Sequence, residues 1–397
     1  MDSKLAAHDN PPTSLKPGAR GAVSALFLAN GMISGFWSVL VPVVQNNVGI
    51  GESAMGLLIL IGALAGFAAL LASGVAISTL GSGPVAIGAG LSLAPGLLIL
   101  TQASSFAAAV SCFVLLFTAM SVMDVAMNTN GAQVEVGLGK AVMSSFHGFW
   151  SLGGMIGAAS GGFILAIGGQ QALTVIALFA CAALVLFAAP NLATKPATSQ
   201  AAGKPRWRDF RLPGSLRVYA FGILALVAFT AEGSVIDWSA LFLRKEIHAD
   251  VTISGFAFAG FSFAMMLSRF SGDLLRQRFG TARLLQFSAI LGIAGFGVVG
   301  LASAPLLVVL GFLTAGLGCA NIVPLAFSAA SSTQGVKPGT GITIASLFGY
   351  FGLLCAPAPL GIIGEAHGFA IVYLGFALTM VAVLVLARGA RNWLGAA

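Results

Sequence analysis

The stretch "MDVAMNTNGAQVE", Met123 to Glu135, lies between long apolar runs. Asp124, Asn128, Asn130, Gln133 and Glu135 all fall in what otherwise reads as a helix crossing a membrane. The surroundings force that reading. The chain is 58% hydrophobic and 8% charged, with a mean hydropathy of +0.98. A bilayer core takes about 20 apolar residues per helix, and runs of that size recur along nearly the whole chain. No single soluble core could hide so much apolar surface. The fold class is therefore an all-α, polytopic membrane protein. The 52 glycines fit, because small residues let membrane helices approach closely.

About twelve spans are predicted. They run roughly over 20–45, 53–78, 83–102, 105–133, 141–168, 171–190, 216–243, 252–276, 281–302, 304–332, 339–364 and 368–388. The first apolar run has no small-residue cleavage site after it and reads as a retained span. Placing the N-terminus in the cytoplasm puts nearly every Lys and Arg inside. Only Arg244 and Lys245 fall outside, and Arg269 lies within a span. The net charge of +7 is thus a topology signal. No basic stripe with interleaved aromatics points to nucleic acid. Both termini are expected in the cytoplasm of a bacterial inner membrane. Cys112, Cys181, Cys319 and Cys355 all sit in apolar runs without a CxxC pair, and read as buried small hydrophobes. No cofactor is expected.

The most polar internal stretch, 191–215, reads as a linker between two halves, 20–190 and 216–388, flanked by tails 1–19 and 389–397. The halves resemble each other. "GFWSVL" around Trp37 matches "IDWSAL" around Trp238, and "FHGFW" around Gly148 matches "LFGYF" around Gly349. Both pairs are 201 residues apart. A shared offset points to duplication, and paired six-helix repeats with a midplane site between them are a transporter plan.

One loop is more specific. "RFSGDLLRQRFGTARLL", Arg269 to Leu285, joins spans 8 and 9. Asp273 lies one turn from Arg269, within pairing distance on one helix face, and near Arg276, Arg278 and Arg283. This loop and the twelve-span plan resemble the major facilitator superfamily over about residues 20–390. The resemblance implies two pseudo-two-fold-related halves, alternating access, and a gating role for Arg269, Asp273, Arg278 and Arg283 on the cytoplasmic side. The first-half counterpart, "SGVAISTLGSGPVAI" from Ser73 to Ile87, lacks the charges. "DVAMNTNGAQVEVGLGKAVMSSFHGFWSLGGMIGA" and "AEGSVIDWSALFL" are similar to the bacterial inner-membrane YbjJ-like branch, loosely related to fucose permease. Gly148 and Gly157 resemble the spacing of the superfamily's antiporter motif, but its Gly-Pro step is absent. Close helix packing is the favoured reading of these glycines.

The resemblance implies a cavity lined by spans 1, 4, 7 and 10. Their polar residues recur at helical spacing: Asn30, Ser34 and Trp37; Ser121, Asp124 and Asn128; Thr230, Ser234 and Asp237; Asn321, Pro324 and Ser328. Ser and Thr can bond their own backbone, but the Asp and Asn members need a watery face or partners. A charge facing lipid costs at least ~2.5–3.5 kcal/mol at mid-bilayer. Asn130, Gln133 and Glu135 fall near the headgroups and need no functional role.

Four groups are candidates for proton coupling. Glu232 reads as an isolated deep carboxylate and comes first, with Asp124 second. His147 reaches the level of Asn128 and about a turn below Asp124, at ~1.5 Å per residue. It either pairs with Asp124 or bonds the span 4 backbone or Asn128. Asp237 lies about 140° from Glu232 on the helix wheel, toward the extracellular end. Glu232 is equally readable as a structural acid. Asn30, Ser34, Trp37, Asn128, Trp150, Asn321 and Tyr350 are candidates to line the substrate cavity. Trp37 and Trp238 also suit anchoring at the membrane interface.

The expected function is a secondary active transporter of a small organic solute, coupled to protons and acting as a monomer in the lipid bilayer. No Walker loop supports ATP-driven transport. Alternatives are an exporter of amphipathic compounds, or a membrane receptor or enzyme. The chain is not expected to be an enzyme, because nothing completes a catalytic cluster around His147 and Asp124. Arg269, the lone intramembrane arginine, is expected near the cytoplasmic end on Asp273, so the cavity offers no cation for an anionic solute.

Overall fold

A computed structural model describes residues 16–140, 142–193, 213–336 and 338–389, without the side chains of Asp273, Pro338 and Gly339. Most of the expected linker and both tails lie outside the described residues. The described chain forms thirteen α-helices: α1 Ala19–Val48, α2 Glu52–Leu80, α3 Ser82–Thr101, α4 Phe106–Leu138, α5 Met143–Ala188, α6 Leu216–Lys245, α7 Val251–Phe279, α8 Thr281–Leu301, α9 Pro305–Cys319, α10 Ile322–Ser331, α11 Pro338–Cys355, α12 Pro357–His367 and α13 Phe369–Gly389.

Helices and spans do not correspond one to one. The 46-residue α5 breaks at Gly169, whose φ of 72° lies outside the helical region, and so contains two spans. Conversely, α9 and α10 form one span interrupted at Ala320 and Asn321. The segments α11 and α12 form another, bent by 42°. Pro357 opens α12, and it has no N–H to continue the ladder across the bend. Read this way, twelve spans cross the membrane. Leu71, Val75, Phe179 and Leu378 are exposed on the outside of the bundle, where lipid chains replace water.

The two halves pack alike. In the first, α1 lies on the first part of α5; in the second, α6 lies on α11. Glycines set the first contact. A Cβ on Gly31 would strike the Trp150 carbonyl, one on Gly35 the Gly154 carbonyl, and one on Gly157 the Met32 carbonyl. In the second half, Gly349 faces Phe229 and Gly352 faces Thr230. Close approach of backbones is how membrane helices gain packing energy when lipid offers no hydrophobic drive.

Two seams join the halves. Along one, the first span of α5 lies along α7: Gly162 meets Gly255, Gly154 meets Ser262 and Phe258, and Gly148 meets Phe270. The other seam is short. The helix α2 packs on α12, with Gly56 against Pro357 and Ala358 and Gly361 against Glu52, but it barely touches α11. Among the described residues α4 packs on neither α10 nor α11. The halves are therefore closed at the end that carries Glu52, Lys245 and Glu365. They part at the end that carries Arg20, Arg276, Arg278, Arg283 and Arg388, called the basic end below.

Candidate functional site

Three cross-half contacts build the closed end. Deepest is a buried hydrogen bond in which the Trp37 indole Nε1 donates to Asp237 Oδ1 at 3.0 Å. Nearer the surface, Lys245 Nζ pairs with Glu52 Oε1. Beside it the Ser53 N–H donates to Glu365 Oε2 at 2.7 Å. A small cavity adjoins Asp237, lined also by Thr230, Ser234 and Leu360. The sequence placed Trp37 in the substrate cavity and Asp237 among the proton sites. Trp37 is only 2% exposed, so it is a gate residue and not an open cavity wall. The arm of Trp that could reach 200 residues along the chain was invisible to local spacing. Trp238 is also no lipid-facing anchor. It is fully buried and stacks on Phe369 at 5.0 Å between centroids.

The second cluster lies deep in the α5–α7 seam. Arg269 pairs with Glu232, its NH2 nitrogen 3.2 Å from Oε1 and 3.4 Å from Oε2. Its NH1 nitrogen donates to Ser151 Oγ at 2.6 Å and to the His147 carbonyl at 3.4 Å. The guanidinium also lies over the Trp150 ring, 5.9 Å from its centroid. Trp150 Nε1 in turn donates to Asn30 Oδ1 at 2.9 Å. One chain of contacts thus runs from α1 through α5 and α7 to α6, across both halves.

This cluster corrects three expectations. Arg269 is not an arginine of the helix end: its side chain reaches to the depth of Glu232, and its observed ion pair is with Glu232. The Asp273 side chain, its expected partner, lies outside the described residues. Glu232 is not isolated, because the Arg269 cation neutralises it. The cavity region therefore does contain an arginine, although a carboxylate already holds it.

The third group lines the open side. Asp124 and Asn128 of α4 are half-buried. Asn128 Nδ2 donates to the Asp124 carbonyl at 2.8 Å and to Asp124 Oδ1 at 3.1 Å, both one turn away on the same helix. Across the opening stands Tyr350 of α11, 37% exposed and within electrostatic reach of Asp124. Its ring stacks on Phe229 at 5.9 Å, and Phe229 meets Phe327 at 6.4 Å. Neither arrangement read for His147, a pair with Asp124 or a bond to the span 4 backbone or Asn128, is seen among the described residues. The His147 ring instead packs edge-on against Phe27 of α1 at 5.2 Å. The physical reason is helix placement: α5 presents His147 to α1 and α7, while α4 packs mainly on α2 and α3.

Other candidates fall outside the opening. Ser34 is buried and its hydroxyl donates to the Asn30 carbonyl, the self-bonding that serines use inside helices. Asn30 and Asn321 are buried, at 4% and 7% exposure. Asn321 sits at the break between α9 and α10, over Gly272 of α7. Of the expected gating loop, Arg278 lies over its neighbour Phe279 and Arg283 is exposed, while Arg276 donates to Ser328 of α10 at 2.9 Å. The lower part of the opening stretch is structural. Asn130 bonds Ser82 and the Ala193 N–H, and Glu135 accepts from the Val142 and Met143 N–H groups that open α5.

Sequence reasoning missed Glu52, Ser53, Ser151, Lys245 and Glu365. A signal for the gate was present. Lys245 belongs to the only basic pair away from the basic end, and acids at the same end could hold it.

A model of the Major Facilitator Superfamily matches residues 22–333. The chain belongs to that superfamily. An uncharacterized MFS-type transporter of Yersinia pestis is 29% identical over 378 residues, covering 94% of this chain and 97% of the relative. The membrane protein MosC of Rhizobium meliloti is 28% identical over 365 residues, covering 91% of this chain and 86% of the relative. Among solved structures, a variant of the nucleoside transporter NupG superposes with a TM-score of 0.75 at 16% identity, covering 94% of this chain and 99% of that one. The human organic anion transporter MFSD10 gives 0.65 at 16% identity, covering 94% and 100%. The superfamily's twelve-span, two-half fold is thus this chain's fold, and its members' membrane transport of small molecules is the coarse activity.

Proposed function

We propose that the protein is a proton-coupled secondary transporter of a small organic solute, working by alternating access in a bacterial inner membrane. The basic end faces the cytoplasm in this reading, by the positive-inside rule. The observation that carries it is the asymmetry between the ends: cross-half bonds close the acidic end, while α4 and α11 stand apart at the basic end. The described state is then inward-facing, with Asp124, Asn128 and Tyr350 reached from the cytoplasm.

Asp237 and Glu232 are the coupling groups in this proposal. Asp237 is buried in the gate with a tryptophan donor and, among the described residues, no cation paired with it. An uncompensated carboxylate is costly to bury, so closing the outer end favours the protonated form and carries the proton inward. Glu232 holds Arg269 only while it is charged. A proton on Glu232 would loosen the bond between α6 and α7 and with it the seam through Ser151.

The test is proton flux in proteoliposomes on addition of solutes from a panel, for wild type, Asp237→Asn and Glu232→Gln. Solute-dependent proton movement that falls at least tenfold in either variant is the expected result. Solute flux with no proton movement in wild type overturns the coupling, and unchanged proton movement in both variants overturns the assignment of the groups.

A further inference from the structure

Each described carboxylate has a task, with one exception. Glu52 and Glu232 hold Lys245 and Arg269. Asp237 holds Trp37 and Glu365 holds the Ser53 N–H. Glu135 and Glu246 cap the starts of other helices, and Asp250 caps its own. Asp124 receives only the Asn128 amide from its own helix, and that amide also serves the Asp124 carbonyl. It has no basic partner among the described residues, at a depth where an unpaired charge costs at least ~2.5–3.5 kcal/mol. It is also half-buried on the open side and not sealed inside a seam.

What faces it is equally specific. Tyr350, Phe229 and Phe327, from α11, α6 and α10 of the other half, form one aromatic surface. Ring faces are negative and attract cations. An acid on one half and an aromatic cluster on the other suit the same ligand group. Arg269 does not supply a competing anion site, because Glu232 holds it and Trp150 covers it.

We propose that the transported solute carries a protonated amine, bound between Asp124 of the first half and the Tyr350–Phe229 aromatic face of the second. The ammonium takes the free carboxylate oxygen of Asp124, with Asn128 fixing the carboxylate orientation. Because the two anchors belong to different halves, an occupied site ties solute binding to their relative position. The inference rests on the transporter reading for its meaning, but a binding test separates the two.

The experiment uses purified full-length protein and two matched sets of probes. One set is glucosamine, glucose and glucuronate; the other is tyramine, tyrosol and 4-hydroxyphenylacetate. Members of a set differ in charge on a common skeleton. The readout is the thermal midpoint across a concentration series. At least one amine is expected to raise the midpoint of wild type, with its alcohol and acid counterparts weaker by tenfold or more. Asp124→Asn is expected to remove that preference. Tyr350→Phe should keep it and Tyr350→Leu should weaken it severalfold, which provides a second path if Asp124→Asn folds poorly. The proposal is overturned if alcohols or acids stabilise as well as amines, if the preference survives in Asp124→Asn, or if neither amine shifts the midpoint. Amine binding without transport in proteoliposomes would sink the transporter reading and leave the site standing.

Discussion

The two seams between the halves hold together by different means. The α5–α7 seam is continuous and carries Arg269 in its middle, which bonds Ser151 across the seam and pairs with Glu232 of its own half. The seam around α2 and α12 is confined to one end, where a single buried hydrogen bond between α1 and α6 is backed by one ion pair and one backbone-to-carboxylate hydrogen bond nearer the surface. Buried ion pairs are poor sources of net stability but are strongly destabilising when halved, because one charge is left without a partner. An exposed pair is weak either way. The first seam therefore depends on one buried charge keeping its partner, and the second on individually weaker contacts.

Breaking the first seam should give the largest effect. Arg269→Met leaves Glu232 charged and unpaired among buried side chains. Losing one partner of a buried pair costs about 3–5 kcal/mol. The expected result is a thermal midpoint lowered by several degrees and transport lowered more than a hundredfold. Adding Glu232→Gln to that variant should restore most of the midpoint, since no bare charge remains. If the double variant is no more stable than the single one, the pair does not hold this seam.

The gate should respond at an intermediate level. Trp37→Phe keeps the ring against Phe113 and removes the donor to Asp237. A hydrogen bond to a neutral group contributes about 0.5–1.5 kcal/mol, enough to move the balance of the two ends by up to about tenfold. In a background without the four native cysteines, Leu360→Cys would line the same small cavity as Asp237. Its labelling by a thiol reagent added from outside should speed up about tenfold in Trp37→Phe. An unchanged rate would mean that this bond does not hold the gate.

The outermost contact should matter least. Lys245 is 45% exposed on its side chain, and such pairs contribute about 0.2–1 kcal/mol. Glu52→Gln should speed labelling of the same cysteine fivefold at most. The difference should shrink as salt is raised, because screening weakens exposed charges first. A larger, salt-independent effect would place the gate's strength at its rim and not at Trp37.

The comparison also explains which site residues could be read beforehand. Periodicity placed Asp124 and Asn128 on one helix face, and they do share a face and a bond, since residues four apart on a helix are neighbours. For Arg269 the same rule could offer only Asp273, four residues on, whose side chain lies outside the described residues; the observed ion pair is with Glu232 on an adjacent helix, which no spacing along one helix could offer. Likewise the depth count brought His147 level with Asp124, but depth says nothing about which neighbour a helix faces. Trp37 and Trp238, matched in sequence by duplication, have diverged in use: one crosses to the other half and one stays in its own core.

The sequence alone determined that this chain crosses a membrane about twelve times, in two related halves, with polar stripes on particular helices. Those facts follow from hydropathy and periodicity, which are properties of neighbouring residues along the chain. The tertiary structure decided which charges are spent on each other and which carboxylate remains free. It also decided which end of the molecule is closed. Ion pairs and gates form between helices distant in sequence, and their energies depend on burial and distance, which only the packed bundle fixes.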